Sequence, residues 1–347
     1  MNLLRYDLLM ITNFLMSQKL GFFIALLFCF ITSSAQNFKD LDSLLIDRDI
    51  DNYSIRFFTN YKVNKFSVLN SYYDVKFTPN NRHGIGFGVA NKKMILDIGF
   101  NLKNPNKEET ARFDFQGTAI IKKRNYADLY IQSYKGFQAK NNFGESSVFR
   151  GDMRSVSFGF NYLYTLDEIE FSYSLLKAGL LDEDDKDVFI TGGLGIFGMF
   201  DYFSSDTSVL SEIALEYFNE QADIKRYQGV TVGVMGGAIS YFKIKEDIRA
   251  AVNIMPGVGV MSKKITLQDG DYKPEKPILY KLDFSLGLAY QLDRLYACLT
   301  YNNGLYATDF GYNNNYRLNI GNAKLVLGYR LGQPNKKRKL KQSLFEE

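Results

Sequence analysis

The sequence holds one histidine, His83, in the run Asn-Arg-His-Gly beside a glycine-rich stretch. Hydrolase chemistry at an imidazole needs a nucleophile within reach and a polar group that orients the ring. No serine pairs with His83 by spacing, so it reads as a polar turn residue. Two cysteines are present, Cys29 and Cys298. Cys29 falls in an N-terminal apolar run, and once that run is removed Cys298 has no disulfide partner. It reads as a small, inert apolar residue. No cysteine and histidine cluster has zinc spacing, and no metal or cofactor is expected. Gly192-Gly193-Leu194-Gly195 lies inside an apolar run and does not open a helix, unlike a nucleotide-binding loop. These residues predict a protein that is not an enzyme.

The charged residues are more informative. Asp97, Arg112, Asp114, Glu170, Arg249, Lys281, Asp283, Lys324 and Arg330 lie in or beside runs that alternate with apolar side chains. Alternation places them on one face of their strands and the apolar residues on the other. Charges facing a confined interior are favourable only when solvated or paired. A set of mixed sign can pair across that interior and narrow it. A set of one sign would suit a wide selective channel. These nine are the candidate lumen-binding residues.

The elements that would carry them are strands of one pattern. Residues 278–292 place Tyr280, Leu282, Phe284, Leu286, Leu288 and Tyr290 on one face. Lys281, Asp283, Ser285, Gly287, Ala289 and Gln291 take the other. Ten residues at about 3.3 Å each, tilted by roughly 40°, rise about 25 Å. That is the height of the apolar band on an outer-membrane barrel, rimmed by aromatic residues. The same alternation recurs over 53–61, 74–92, 94–102, 112–121, 128–137, 155–164, 169–175, 188–202, 230–241, 248–261, 295–301 and 323–331. Short turns at 91–93, 122–125, 166–168, 243–247 and 293–294 alternate with longer polar loops. These loops are expected at 104–110, 138–152, 182–187, 204–225, 263–277 and 308–322. The rhythm breaks once, between 168 and 247, where two long connections follow each other. Either a strand is missing there, or 204–225 is an inserted periplasmic or plug segment. Inside it 208–218 predicts a short helix with Ser208 as N-cap. The reading is an all-β, single antiparallel transmembrane barrel of about twelve strands, with ten to fourteen admissible.

The 347 residues carry 42 basic and 38 acidic side chains, 24 tyrosines, 29 phenylalanines and no tryptophan. Mean hydropathy is -0.19, which excludes a helical membrane protein and does not detect alternating strands. The interspersed signs argue against nucleic-acid binding. Residues 1–35 have a secretory signal pattern: Lys19, an apolar run 20–31 and the small residues Ser33-Ser34-Ala35. Met16 offers a second start. The apolar run is too short for a comfortable transmembrane helix, and Phe28 before Cys29 argues against lipidation. Residues 36–52 form a polar lead-in, 53–332 the barrel and 333–347 a basic tail.

Several segments resemble, in order, a Bacteroidetes outer-membrane family catalogued only as a domain of unknown function. They are the signal, YSIRFFTNYK and YDVKFTPNNRHGIGFGVANKKMILDIGF, then YIQSYKGFQ, RGDMRS and FITGGLGIFG. The family pattern is a strand ending in Pro-Asn (Pro79-Asn80), a polar link, a glycine-alternating strand and an apolar strand. The resemblance implies an outer-membrane barrel and brings no known activity. Many such barrels end on an aromatic residue, whereas this chain continues sixteen residues beyond Leu331.

The expectation is a porin-like protein of the cell outer membrane, reached after signal cleavage. It would form a narrow pore or a scaffold for a small solute or an envelope partner. Outer-membrane lipid and the barrel assembly machinery are the expected partners, with no specific protein partner indicated. A lipid-modifying barrel enzyme and a soluble secreted β protein are the alternatives.

Overall fold

The computed structural model describes residues 53–62, 64–101, 108–169, 187–292 and 294–331. The signal segment 1–35, the lead-in 36–52, the tail 333–347 and most of the strand expected at 169–175 lie outside the described residues.

Fifteen strands follow one another among the described residues. They are β1 Ser54–Lys62, β2 Lys65–Leu69, β3 Asp74–Thr78, β4 His83–Ala90, β5 Met94–Asn101, β6 Ala111–Ile121, β7 Asn125–Asn141 and β8 Val148–Thr165. Then come β9 Val188–Ser204, β10 Ile224–Lys245, β11 Ile248–Leu267, β12 Gly270–Tyr272, β13 Ile278–Gln291, β14 Leu295–Gly311 and β15 Asn314–Arg330. Twelve of them, all but β2, β3 and β12, pair antiparallel in chain order. β15 then returns to β1 with Ser54 opposite Arg330. Closure pairs each of these twelve strands on both sides.

The outer face is apolar around the ring. Phe57, Phe87, Leu194, Val232, Leu286 and Leu327 are all between 41% and 77% exposed. Arg56, Asp97, Arg112 and Lys324 are buried inside. A soluble fold does not display a continuous apolar belt, whereas a barrel spanning lipid must. No helix among the described residues is long and apolar enough to cross a membrane; strands make the crossing. This sets aside the soluble alternative.

The sheet forks near Pro79-Asn80. β1 and β2 keep one register along β15, Lys62 opposite Asn322 and Lys65 opposite Asn319. Across from them β4 and β3 also follow one another. β4 pairs outward with β5, but β3 pairs with β7. At the loop end the ring therefore runs β7–β3–β2–β15–β14–β13–β11–β10–β9–β8 and back, ten strands instead of twelve. Barrel diameter grows with strand number, so the fork narrows that end. Asn80 stitches it, accepting from the Thr110 N–H at 2.9 Å and donating to the Glu108 carbonyl at 2.8 Å. The Thr110 hydroxyl donates to the Gly136 carbonyl at 2.8 Å. Gly136 has φ +86°, and a Cβ there would lie 2.6 Å from the Phe149 ring.

The structure revises several expected boundaries. The run 74–92 is two strands, not one. The loops expected at 138–152 and 308–322 shrink, because β7, β8, β14 and β15 extend well past the alternating cores of their runs. β14 and β15 join through Tyr312-Asn313, both at positive φ (52° and 64°), as in the turn that matches strand twist. The broken rhythm resolves because β8 pairs directly with β9. β8 ends and β9 begins at the short-turn end, and the β9–β10 connection lies at the loop end. Its helix, α1 Glu212–Leu215, is shorter than expected, and Ser211, not Ser208, caps it by accepting from the Ala214 N–H at 3.0 Å.

Candidate functional site: the barrel interior

The interior has three levels. Its middle is a polar chamber of ≈ 110 Å³ lined by Asn60, Asp114, Asp128, Asp283, Asn302 and Asn322, among others. That volume holds several waters or a small polar molecule. Asn302 Nδ2 and both polar atoms of the Asn322 side chain are buried without a hydrogen-bond partner.

Paired charges surround the chamber. Lys324 on β15 donates to Asp97 on β5 at 2.8 Å, and Arg56 on β1 lies 3.6 Å from the other Asp97 oxygen. Asp114 meets Lys62 at 3.1 Å, accepts from the Tyr134 hydroxyl at 2.8 Å and lies 3.9 Å from Arg112. Arg112 donates to Asn60 at 3.0 Å. Across the barrel Lys281 pairs with Asp283 at 2.9 Å and also donates to Asn161. Aromatic neighbours help: the Lys324 ammonium sits 4.7 Å from the Phe58 ring centre and that of Lys281 4.6 Å from Phe197. Such contacts stabilise a desolvated cation.

Toward the short-turn end Arg249 donates to Tyr241 at 2.7 Å and to Gln291, and Arg330 donates to the Leu292 carbonyl at 2.7 Å. Toward the loop end the filling becomes aromatic. Phe66 stacks on Phe77 and Phe203, both at 4.8 Å, and Tyr316 stacks on Phe310 at 5.0 Å. Buried Asp201 accepts from Tyr316 at 2.5 Å and from Ser157 at 2.7 Å.

Above this layer the β9–β10 connection forms a cap. Tyr217 stacks on Phe143 at 4.4 Å, and its carbonyl accepts from Asn70 at 3.0 Å. Asn219 donates to the Tyr312 carbonyl at 2.6 Å. Tyr272 donates to the Gln221 carbonyl at 3.1 Å. The root of the cap is held by Arg150, which pairs with Asp152 at 2.8 Å and donates to the Ser208 and Val209 carbonyls.

Of the nine charged residues singled out by alternation, eight face the interior. Asp97, Arg112, Asp114 and Lys324 gather on one wall, Lys281 and Asp283 on the opposite one, Arg249 and Arg330 near the short-turn end. Glu170 lies outside the described residues. Arg56, Lys62, Asp128 and Asp201 also point inward and were passed over. The alternation of Ser54, Arg56, Phe58, Asn60 and Lys62 in β1 was a readable signal for the first two. Asp201 stands between aromatic residues on a strand apolar on both faces, where alternation says nothing. His83 is exposed at the start of β4, its ring edge-on to Tyr61 at 5.2 Å. Among the described residues no cluster suits a metal ion.

An apolar outer belt and a polar, charge-paired interior define a transmembrane β-barrel. The chain belongs to the family described as Domain of unknown function (DUF4421), whose model matches residues 40–331. No curated protein matches the sequence. Among solved structures the chain is similar to the outer-membrane protease OmpT from Escherichia coli, at 10% identity and a TM-score of 0.39, covering 82% of this chain and 98% of that one. It is similar to the translocator domain of the autotransporter NalP from Neisseria meningitidis, at 11% identity and 0.39, covering 87% and 96%. It is also similar to the Pseudomonas putida toluene transporter TodX, at 9% identity and 0.29, covering 82% and 91%. The expectation that the chain is not an enzyme is corrected by this comparison. The similar solved structures include an outer-membrane protease, and the lack of a serine paired with His83 is not evidence against catalysis.

Proposed function

We propose that the protein is an outer-membrane barrel that admits a small polar solute to an interior chamber. In this reading residues 1–35 are cleaved, the barrel assembly machinery inserts the chain, and the short-turn end faces the periplasm. The observation that carries the proposal is the chamber itself. It is lined by carboxylates, lysines and amides, and Asn302 and Asn322 turn unpartnered polar atoms toward it. Buried polar groups are normally satisfied, so the chamber is built for water or a polar guest. Aromatic packing and the cap close the outer side, which supports a narrow or gated path over a wide pore. In this reading Asp114, Asp283, Arg112, Lys281, Asp97 and Lys324 contact the solute or set the bore. Arg249 and Arg330 shape the periplasmic exit, and Glu170 belongs to the same inward set.

Planar-bilayer recording of the refolded protein tests this. Wild type should conduct poorly, and Asp114→Ala with Asp283→Ala should raise conductance or change ion preference. A double variant matching wild type in conductance, selectivity and thermal stability would leave a structural barrel as the better account.

A further inference from the structure

The outer wall carries one feature that the interior does not explain. A groove of ≈ 470 Å³ runs along β2, β3 and β13–β15 at the loop end. One cross-strand row crosses it: Lys76, Ser67, Arg317, Ala307, Tyr280, each opposite the next in the ladder. The small Ser67 and Ala307 leave hollows on either side of Arg317. Lys65 stands in the adjacent row, followed by Asn319, Leu305 and Leu282. Lys76 pairs with Asp74 at 2.7 Å. Lys65 and Arg317 make no ion pair among the described residues.

Height matters here. Arg317 lies 13 residues before Arg330 at the end of β15, and Tyr280 lies 11 before Gln291 at the end of β13. At about 2.5 Å of rise per tilted residue these are about 33 and 28 Å above the short-turn rim. An apolar band is about 25 Å tall. The cations therefore stand at the outer headgroup level, with Tyr280 in the row of Arg317 and exposed Leu305 in the row below it. A bare cation there, with leucines below it, complements a lipid that has a phosphate above its acyl chains.

We infer that this groove binds a phosphorylated lipid of the outer leaflet, its phosphate held by Arg317, Lys65 and Lys76 and its chains lying on Leu282, Leu305 and Tyr280. The inference rests on the outer-membrane reading. It predicts retention of diphosphorylated lipid A on the purified full chain in native mass spectrometry, against weak retention of the same lipid with its phosphates removed. This comparison needs no variant. The triple substitution Lys65→Gln, Lys76→Gln, Arg317→Gln should lower affinity about a hundredfold, about fivefold per cation. Lys264→Gln, whose lysine pairs with Asp271 in β12, should leave it unchanged.

Insertion into liposomes and heat-modifiable gel mobility are read first. A chain that does not insert overturns the outer-membrane reading and this inference together. A chain that inserts but binds phosphorylated and dephosphorylated lipid equally overturns the inference alone. Displacement of the lipid by millimolar inorganic phosphate would do the same, since it would assign the site to a free anion. A folded triple variant that keeps wild-type affinity also overturns it.

Discussion

Lys324 and Asp97 are 227 residues apart in sequence and 2.8 Å apart in the barrel, on strands separated by β1 and β4. Both are almost fully buried, and Arg56 approaches the same carboxylate at 3.6 Å. The carboxylate thus serves two cations, and each cation shares one carboxylate. Removing the shared member of a buried set leaves more uncompensated charge than removing either satellite. Asp97→Asn should destabilise the barrel by about 3–5 kcal/mol, and Lys324→Met by less. Thermal loss of heat-modifiable gel mobility in detergent measures both. Equal costs would mean that water, not Asp97, solvates Lys324 and Arg56.

Leu286 faces outward, 41% exposed, and its neighbour Ser285 lines the chamber. Leu286→Arg should cost about 2–4 kcal/mol because its charge enters hydrocarbon near mid-height. Ser285→Arg should cost less, since the chamber holds carboxylates that can receive it. Refolding into liposomes under urea titration compares the two. A reversed order would show that the strand faces are misassigned.

The cap is fastened to β8 through Arg150. Arg150→Met removes its donations to Ser208 and Val209 and its pairing with Asp152. The barrel should stay folded while residues 204–224 become sensitive to limited proteolysis from the outer side. Bilayer recordings should show more frequent openings than wild type. Unchanged cleavage would mean that the Tyr217–Phe143 stack holds the cap without the arginine.

The fork depends on Gly136 and Thr110. Gly136→Ala places a methyl group 2.6 Å from the Phe149 ring at a φ that L residues rarely adopt. It should cost at least about 1 kcal/mol. Thr110→Val leaves the Gly136 carbonyl and Asn80 short of partners, a loss of about 1–3 kcal/mol. Both variants should lower thermal stability without altering conductance, because the fork lies outside the charged chamber.

The sequence by itself determined the strand faces. Side-chain direction in a strand has a period of two and needs no knowledge of the neighbours. Hence Arg112, Asp114, Lys281 and Asp283 could be placed inside, and Leu286 outside, from their own segments. The short turns at 91–93 and 122–125 were equally local, whereas the one expected at 166–168 is not a short turn, since β9 begins only at Val188. Ring closure, however, is set by registers summed around twelve strands, so only the tertiary structure joined Lys324 to Asp97. It also decided the role of Pro79-Asn80. In sequence this reads as the end of a strand. In the barrel it is where β3, paired with β7, gives way to β4, paired with β5, an exchange of neighbours that no local pattern encodes. The same holds for the loop-end lumen, where Phe66, Phe77 and Phe203 point inward. An apolar residue that packs against other aromatic side chains and one that faces lipid satisfy the same local hydrophobic rule, and closure of the barrel alone distinguishes them.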